Sequence, residues 1–204
     1  MKPPAVEKVL LDGAAGAIET DVTDPGDGRA AIALIAHPHP LMGGTKDNKV
    51  VTTLARTFHA LGCATLRPNF RGVGASAGVH DQGIAETDDL IAVAEYAKQR
   101  FGDLPLVCAG FSFGSYVQTR VAERIGTHQL VLVGPAVSLF KTGTVPSGTL
   151  VIHGEVDDVV PLSAVLDWAR PQNLPVVVVP GGEHFFHGRL QVLQQIITQH
   201  WHKP

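Results

Sequence analysis

The stretch Leu106–Val117, LVCAGFSFGSYV, climbs through an apolar run and then sets one serine, Ser112, between Gly110 and Gly114. Leu104–Ala109 has the continuous apolar character of a strand buried on both faces. Val117, Val121 and Ile125 follow at the spacing of one helix face. Gly-x-Ser-x-Gly between a strand and a helix is a strained turn that holds the serine oxygen outward, and a side chain at either glycine would collide with the strand or the helix. The turn fits a nucleophile. A serine that only caps the helix is the plainer reading, and a base and an acid elsewhere in the chain must decide, because a hydroxyl is a weak nucleophile until its proton is taken.

Outward from this turn the chain alternates. Apolar runs suited to parallel strands fall at Ala30–Ala36, Ala64–Pro68, Leu104–Ala109, Leu130–Val133, Thr149–His153 and Val176–Val179, after two short extended segments at Val6–Leu11 and Ala15–Val22. Between them lie helical stripes. Val51, Leu54, Ala55, Phe58 and Leu61 form one closed by Gly62; Leu90, Val93, Ala94, Ala97 and Phe101 form another closed by Gly102; Leu190, Leu193, Ile197 and Trp201 form the last. Strands alternating with helices predict an α/β fold, a mostly parallel central sheet with helices on both faces. The longest stretch without a pattern, Ala136–Gly148, is a loop too short to fold as a lid, so residues 1–204 are expected to form a single domain.

Composition narrows the classes. The 204 residues carry 16 basic and 19 acidic side chains, a net charge of −3, which gives no electrostatic footprint for nucleic acid. The N-terminal MKPPAVEKVLLDG has no apolar stretch of signal-peptide length and no run reaches membrane-span length, so the expectation is a cytoplasmic protein without a membrane partner, a monomer or homodimer acting on a small molecule. The two cysteines, Cys63 and Cys108, each fall inside a strand-like run and read as buried free thiols, with a bridge between them as the alternative.

In α/β sheets reacting groups gather at the carboxyl ends of the strands. Of the ten histidines only His37, His39, His153 and His184 directly follow or end such runs, with His187 nearby. His184 stands in GGEHFF, where two glycines leave the loop free to fold back over the sheet edge. Asp157 and Asp158 lie just past Thr149–His153, and either can hold the imidazole in the tautomer that faces Ser112. The order serine, aspartate, histidine follows. For the oxyanion, one backbone donor is expected from Phe113, after the nucleophile, and a second from the loop HPHPLMGG. Pro38 and Pro40 have no N–H, which leaves His39 first and Leu41 second. The His37-x-His39 pair raises a metal reading, but the stiff proline-flanked loop is a poor ligand cradle, and neither a metal nor a cofactor is expected.

With these residues in hand the sequence resembles the α/β-hydrolase superfamily, over nearly everything from Ala30 to Trp201, and within it the small lidless bacterial serine hydrolases related to the dienelactone-hydrolase-like group. The motifs that carry the resemblance are HPHPLMGGT with DNKVV after it, NFRGVGAS at residues 69–76, GFSFG, and His153-Gly154-x-x-Asp157-x-x-Val160-Pro161. The resemblance puts the acid at Asp157 and the base at His184. Dienelactone hydrolases proper have cysteine where this chain has Ser112, so lactone chemistry does not carry over. Arg71, in a glycine-rich loop after a strand, is expected to position that loop, with contact to an anionic substrate as the alternative.

The function expected is a serine carboxylesterase: Ser112, Asp157 and His184 catalytic, Phe113 and His39 as oxyanion donors, and a site open to solvent. Its lining is expected from Leu41, Met42, Phe111, Phe113, Phe185 and Phe186, with at least one of the last pair in the core. Small or extended acyl esters suit such a site. A thioesterase or peptidase with the same triad, or a non-catalytic binding module on the same fold, are the alternatives.

Overall fold

The computed structural model describes residues 5–204. Two antiparallel strands open it, β1 (Glu7–Gly13) and β2 (Gly16–Thr23), followed by β3 (Ala31–Ala36), α1 (Lys49–Ala60), β4 (Cys63–Pro68), α2 (Ile84–Phe101), β5 (Leu106–Phe111) and α3 (Phe113–Ile125). Then come β6 (Gln129–Val133), β7 (Leu150–Gly154), α4 (Leu162–Ala169), β8 (Val176–Val179) and α5 (Leu190–Gln199). The sheet runs β1-β2-β4-β3-β5-β6-β7-β8, and every pairing from β4 to β8 is parallel. This is the α/β architecture that the alternating pattern predicts.

Strand periodicity sorts the core into two layers. In β3, Ile32, Leu34 and Ala36 face α2 and α3, while Ala31, Ala33 and Ile35 face α1 and α5. Both sets are fully buried, which is why the parallel strands read as unbroken apolar runs. The same alternation separates the cysteines. Cys63 belongs to the α1/α5 layer and Cys108 to the α2/α3 layer, so the two free thiols lie on opposite faces of the sheet and no bridge joins them. Burial pushes each thiol up to about 12.

Element boundaries depart from the sequence pattern at two places that matter. β5 runs two residues later than expected at each end, because it pairs in register with β6 as far as Phe111 and Val133. α2 begins at Ile84, a turn and a half before its apolar stripe. Its first turns bury Glu86, Thr87 and Asp89 rather than hydrophobes, and Glu86 reaches back to accept the Gly83 N–H at 2.8 Å. Residues 134–149, between β6 and β7, contain no helix or strand, and no lid sits over the carboxyl edge there. Among the described residues no helix is long and apolar enough to cross a membrane.

Candidate active site

β5 delivers its last residue, Phe111, into the core, and the chain then turns sharply at Ser112 with φ +54° and ψ −116°. A non-glycine residue held there stores strain, of the order of 1–3 kcal/mol, and needs neighbours that fix it. They are present. The Ser112 amide donates to Val133 O at 2.9 Å, and the Ser115 hydroxyl lies 2.7 Å from Gly110 O and 3.1 Å from Val133 O. Gln118, wholly buried one turn further along α3, donates through its amide nitrogen to Leu34 O and Ala109 O. A Cβ on Gly110 would stand 2.3 Å from Gly114 O, and one on Gly114 2.4 Å from Ala36 O. The two glycines are therefore needed by packing: one lets strand meet helix, the other lets the helix start against β3.

Two loops bring the other groups to this turn. β7 ends at Gly154, and Asp157 lies three residues on; β8 ends at Val179, and His184 five residues on. The loops are laced together by Glu155 N–H to Val179 O (3.1 Å), Val156 N–H to Gly182 O (2.9 Å) and Gly181 N–H to the Glu155 carboxylate (2.8 Å). They pack tightly at Gly154, where a Cβ would lie 2.4 Å from Gly182 O. His184 Nε2 then stands 3.1 Å from Ser112 Oγ, and its Nδ1 stands 2.7 Å from Asp157 Oδ2. All three side chains are buried or nearly so. Asp158 points to solvent, and so the structure brings Asp157 and not its neighbour to the imidazole.

Asp157 is the best-satisfied group of the set. Burial works to raise its pKa, but the hydrogen bond from His184 and the Val160 and Val159 amides on its Oδ1, at 2.8 and 2.9 Å, outweigh that and hold it below the usual carboxylate range. It is therefore a carboxylate, acceptor only, and the proton between it and His184 belongs to Nδ1. In the neutral imidazole the lone pair of Nε2 then faces the Ser112 hydroxyl.

The loop after β3 crosses the start of α3. His37 is fully buried, accepts the Phe70 N–H on Nε2 at 2.9 Å and places Nδ1 2.6 Å from Pro38 O; burial pushes it down to about 4, so the ring is a neutral pin for the loop. His39 packs its ring on Phe113 (4.9 Å between centroids) and on His80 (4.7 Å). The Leu41 amide is spent on His39 Nδ1 at 3.2 Å. Among the described residues neither the His39 N–H nor the Phe113 N–H meets an acceptor.

The aromatic residues divide. Phe186 and Phe113 are buried, while Phe185 is 41% exposed and packs edge-on against His184. Phe111 corrects an expectation. None of its surface is exposed, because the last residue of a parallel strand faces a layer of helices; it backs the imidazole at 5.0 Å instead of lining an open site. Leu41 and Met42 are 70% and 84% exposed on the rim. Arg71 makes a two-point ion pair with Asp89 at 2.6 and 3.0 Å, which anchors its loop to α2. His187 pairs with Glu183 on the surface and takes no part.

A family model described as serine aminopeptidase S33 matches residues 39–165, more than half of the chain. A lidless α/β serine hydrolase from Xanthomonas campestris is 36% identical, with a TM-score of 0.90 over 98% of this chain and 95% of that one. The chain belongs to the α/β-hydrolase superfamily. An α/β serine hydrolase homologue from Coxiella burnetii agrees, with 38% identity and a TM-score of 0.87 over 96% of this hydrolase and 97% of that chain. An uncharacterised protein of Rickettsia prowazekii is 28% identical over 208 residues, 95% of this hydrolase and 87% of that protein. The hydrolase is a serine hydrolase of the lidless kind. Its finer placement near the dienelactone-hydrolase-like group stays with the sequence motifs.

Proposed function

We propose that this hydrolase is a carboxylesterase that works through an acyl-enzyme on Ser112. The observation that carries the reading is the unbroken chain Ser112 Oγ, His184 Nε2, His184 Nδ1, Asp157 Oδ2, with steps of 3.1 and 2.7 Å. Ser112 attacks the ester carbonyl while His184 Nε2 takes the hydroxyl proton, and Asp157 holds the ring and offsets the imidazolium charge. The tetrahedral oxygen is met by the amides of Phe113 and His39, which are free of other acceptors. His39 is preferred to Leu41 because the Leu41 amide is already engaged. His184 returns its proton to the leaving alkoxide, and a water activated by the same nitrogen releases the acid.

Leu41, Met42 and Phe185 offer apolar surface at the mouth of the site, which suits small or extended acyl groups lying across an open rim. The family model's serine aminopeptidase description favours a second reading, amide cleavage by the same three residues. Rates on p-nitrophenyl acetate, butyrate and octanoate, set beside aminoacyl p-nitroanilides and an acyl-CoA, separate the two. Turnover of the esters faster than that of both the anilides and the acyl-CoA is the expected result; faster anilide cleavage overturns the ester reading and leaves the triad standing.

A further inference from the structure

The strand that leads into the Asp157 turn also carries a buried imidazole for which the steps above have no use. His153, the last residue but one of β7, exposes no surface. Its Nε2 lies 2.9 Å from Val160 O, and a carbonyl only accepts, so that nitrogen bears the proton. The same nitrogen is 3.6 Å from Asp157 Oδ2, too far for a hydrogen bond but close enough for its N–H dipole to favour a negative carboxylate in a dry interior. Burial, opposed by the Val160 carbonyl and by Asp157, holds the ring below the usual histidine range. The ring is neutral. Its Nδ1 is then a buried lone pair with no partner among the described residues, a cost that a leucine or phenylalanine would not incur.

What offsets that cost lies on the other side of Val160. The Val160 N–H donates to Asp157 Oδ1 at 2.8 Å, and Asp157 Oδ2 is left for His184 at 2.7 Å. A continuous path runs from His153 Nε2–H to Val160 O, from Val160 N–H to Asp157 Oδ1, and from Asp157 Oδ2 to His184 Nδ1–H. We propose that His153 is a positioning residue for this hydrolase: by pinning Val160 it fixes the rotation of the Asp157 carboxylate, and through it the aim of His184 at Ser112. The inference rests on the reading of Ser112, His184 and Asp157 as a catalytic triad.

Three substitutions separate the hydrogen bond from the packing. His153→Gln places an amide nitrogen where Nε2 stood, His153→Asn places one only where Nδ1 stood, and His153→Leu keeps the bulk with no donor. On p-nitrophenyl acetate the glutamine variant is expected within about threefold of wild-type kcat, whereas asparagine and leucine lower kcat by roughly 30- to 100-fold, the scale of an ångström-level misplacement. KM should stay within about twofold, since no atom of His153 meets the substrate. The low-field proton resonance of His184 Nδ1–H is expected to survive in the glutamine variant and to broaden or vanish in the other two. Folded asparagine and leucine variants with wild-type kcat and an intact resonance overturn the proposal. If both fail to fold, nitrogen NMR of the wild-type protein decides: a proton on His153 Nε2 supports the proposal, and a proton on Nδ1 alone overturns it. Ser112→Ala and Asp157→Asn run beside them. Activity surviving in those two removes the triad reading itself, while activity lost in those two and kept in His153→Leu removes only the role of His153.

Discussion

Replacing Gly154 by alanine tests how finely the backbone sets the distance between the His184 imidazole and the Ser112 hydroxyl. The new Cβ would lie 2.4 Å from Gly182 O, and ordinary contact begins at 3.4 Å, so roughly 1 Å of separation must be found. The carbonyl groups of Gly182 and Glu183 that obstruct it are both backbone, and no side chain can swing aside. The loop that yields is the one carrying His184 two residues after Gly182, and the Val156 to Gly182 hydrogen bond yields with it. A shift of that size takes His184 Nε2 from 3.1 Å to beyond hydrogen-bond reach of Ser112. The expected loss in kcat/KM on p-nitrophenyl acetate is on the order of 100-fold, the cost of a 1 Å misplacement of a reacting group. Stability should fall by about 1–3 kcal/mol, seen as a drop of several degrees in the melting temperature. Gly148→Ala is the control, because a Cβ there meets nothing within 4 Å. A folded Gly154→Ala protein with kcat/KM within threefold of wild type would refute the argument.

Further outcomes follow from the same geometry. Ser112→Ala is expected to lower turnover on the order of a millionfold, and Asp157→Asn roughly ten-thousandfold, with circular dichroism unchanged in both; stopped assays at high enzyme concentration measure each. For pH, the folded His37 sits at about 4 against 6.5 for the free residue, so the unfolded chain binds the extra proton between those values and stability falls as pH falls through that window. At about 1.4 kcal/mol per unit the full effect of His37 approaches about 3 kcal/mol; urea denaturation should show the fall in wild type and a clearly smaller one in His37→Asn, where the lowered pKa of the buried His153 still contributes. Cys63 and Cys108, buried with thiols pushed up to about 12, are expected to resist a disulfide reagent in the native protein and to react in full in denaturant.

The sequence makes the turn at Ser112 legible because its constraints are local: Gly110, Ser112 and Gly114 lie within five residues, between a strand and a helix that each show their own period. His184 could be singled out by its place after a strand, and Asp157 by the spacing of its motif. What stays hidden depends on groups far apart in the chain. The meeting of Gly154 with Gly182 joins two loops whose strands neither pattern nor spacing pairs, and nothing in the run HGEVDD marks its glycine as a contact point. Gln118 reads as an ordinary polar residue of a helix face, yet it lies buried between β3 and β5, where two carbonyls take its amide. Phe111 follows an apolar run and precedes the serine, which says that it is near the site but not which face of the sheet it takes. Adding two residues to β5 would have settled that by the alternation of the strand. The engagement of the Leu41 amide by His39 Nδ1 is a side-chain choice within one turn, and the HPHP motif alone does not reveal it.

Covalent trapping tests the central claim most directly. The folded wild-type protein, treated with a fluorophosphonate and digested for mass spectrometry, should carry one phosphonyl group, on the peptide containing Ser112, with labelling lost in Ser112→Ala and slowed by several orders of magnitude in His184→Ala. An adduct on a different residue, or a folded and unlabelled Ser112, would contradict the account.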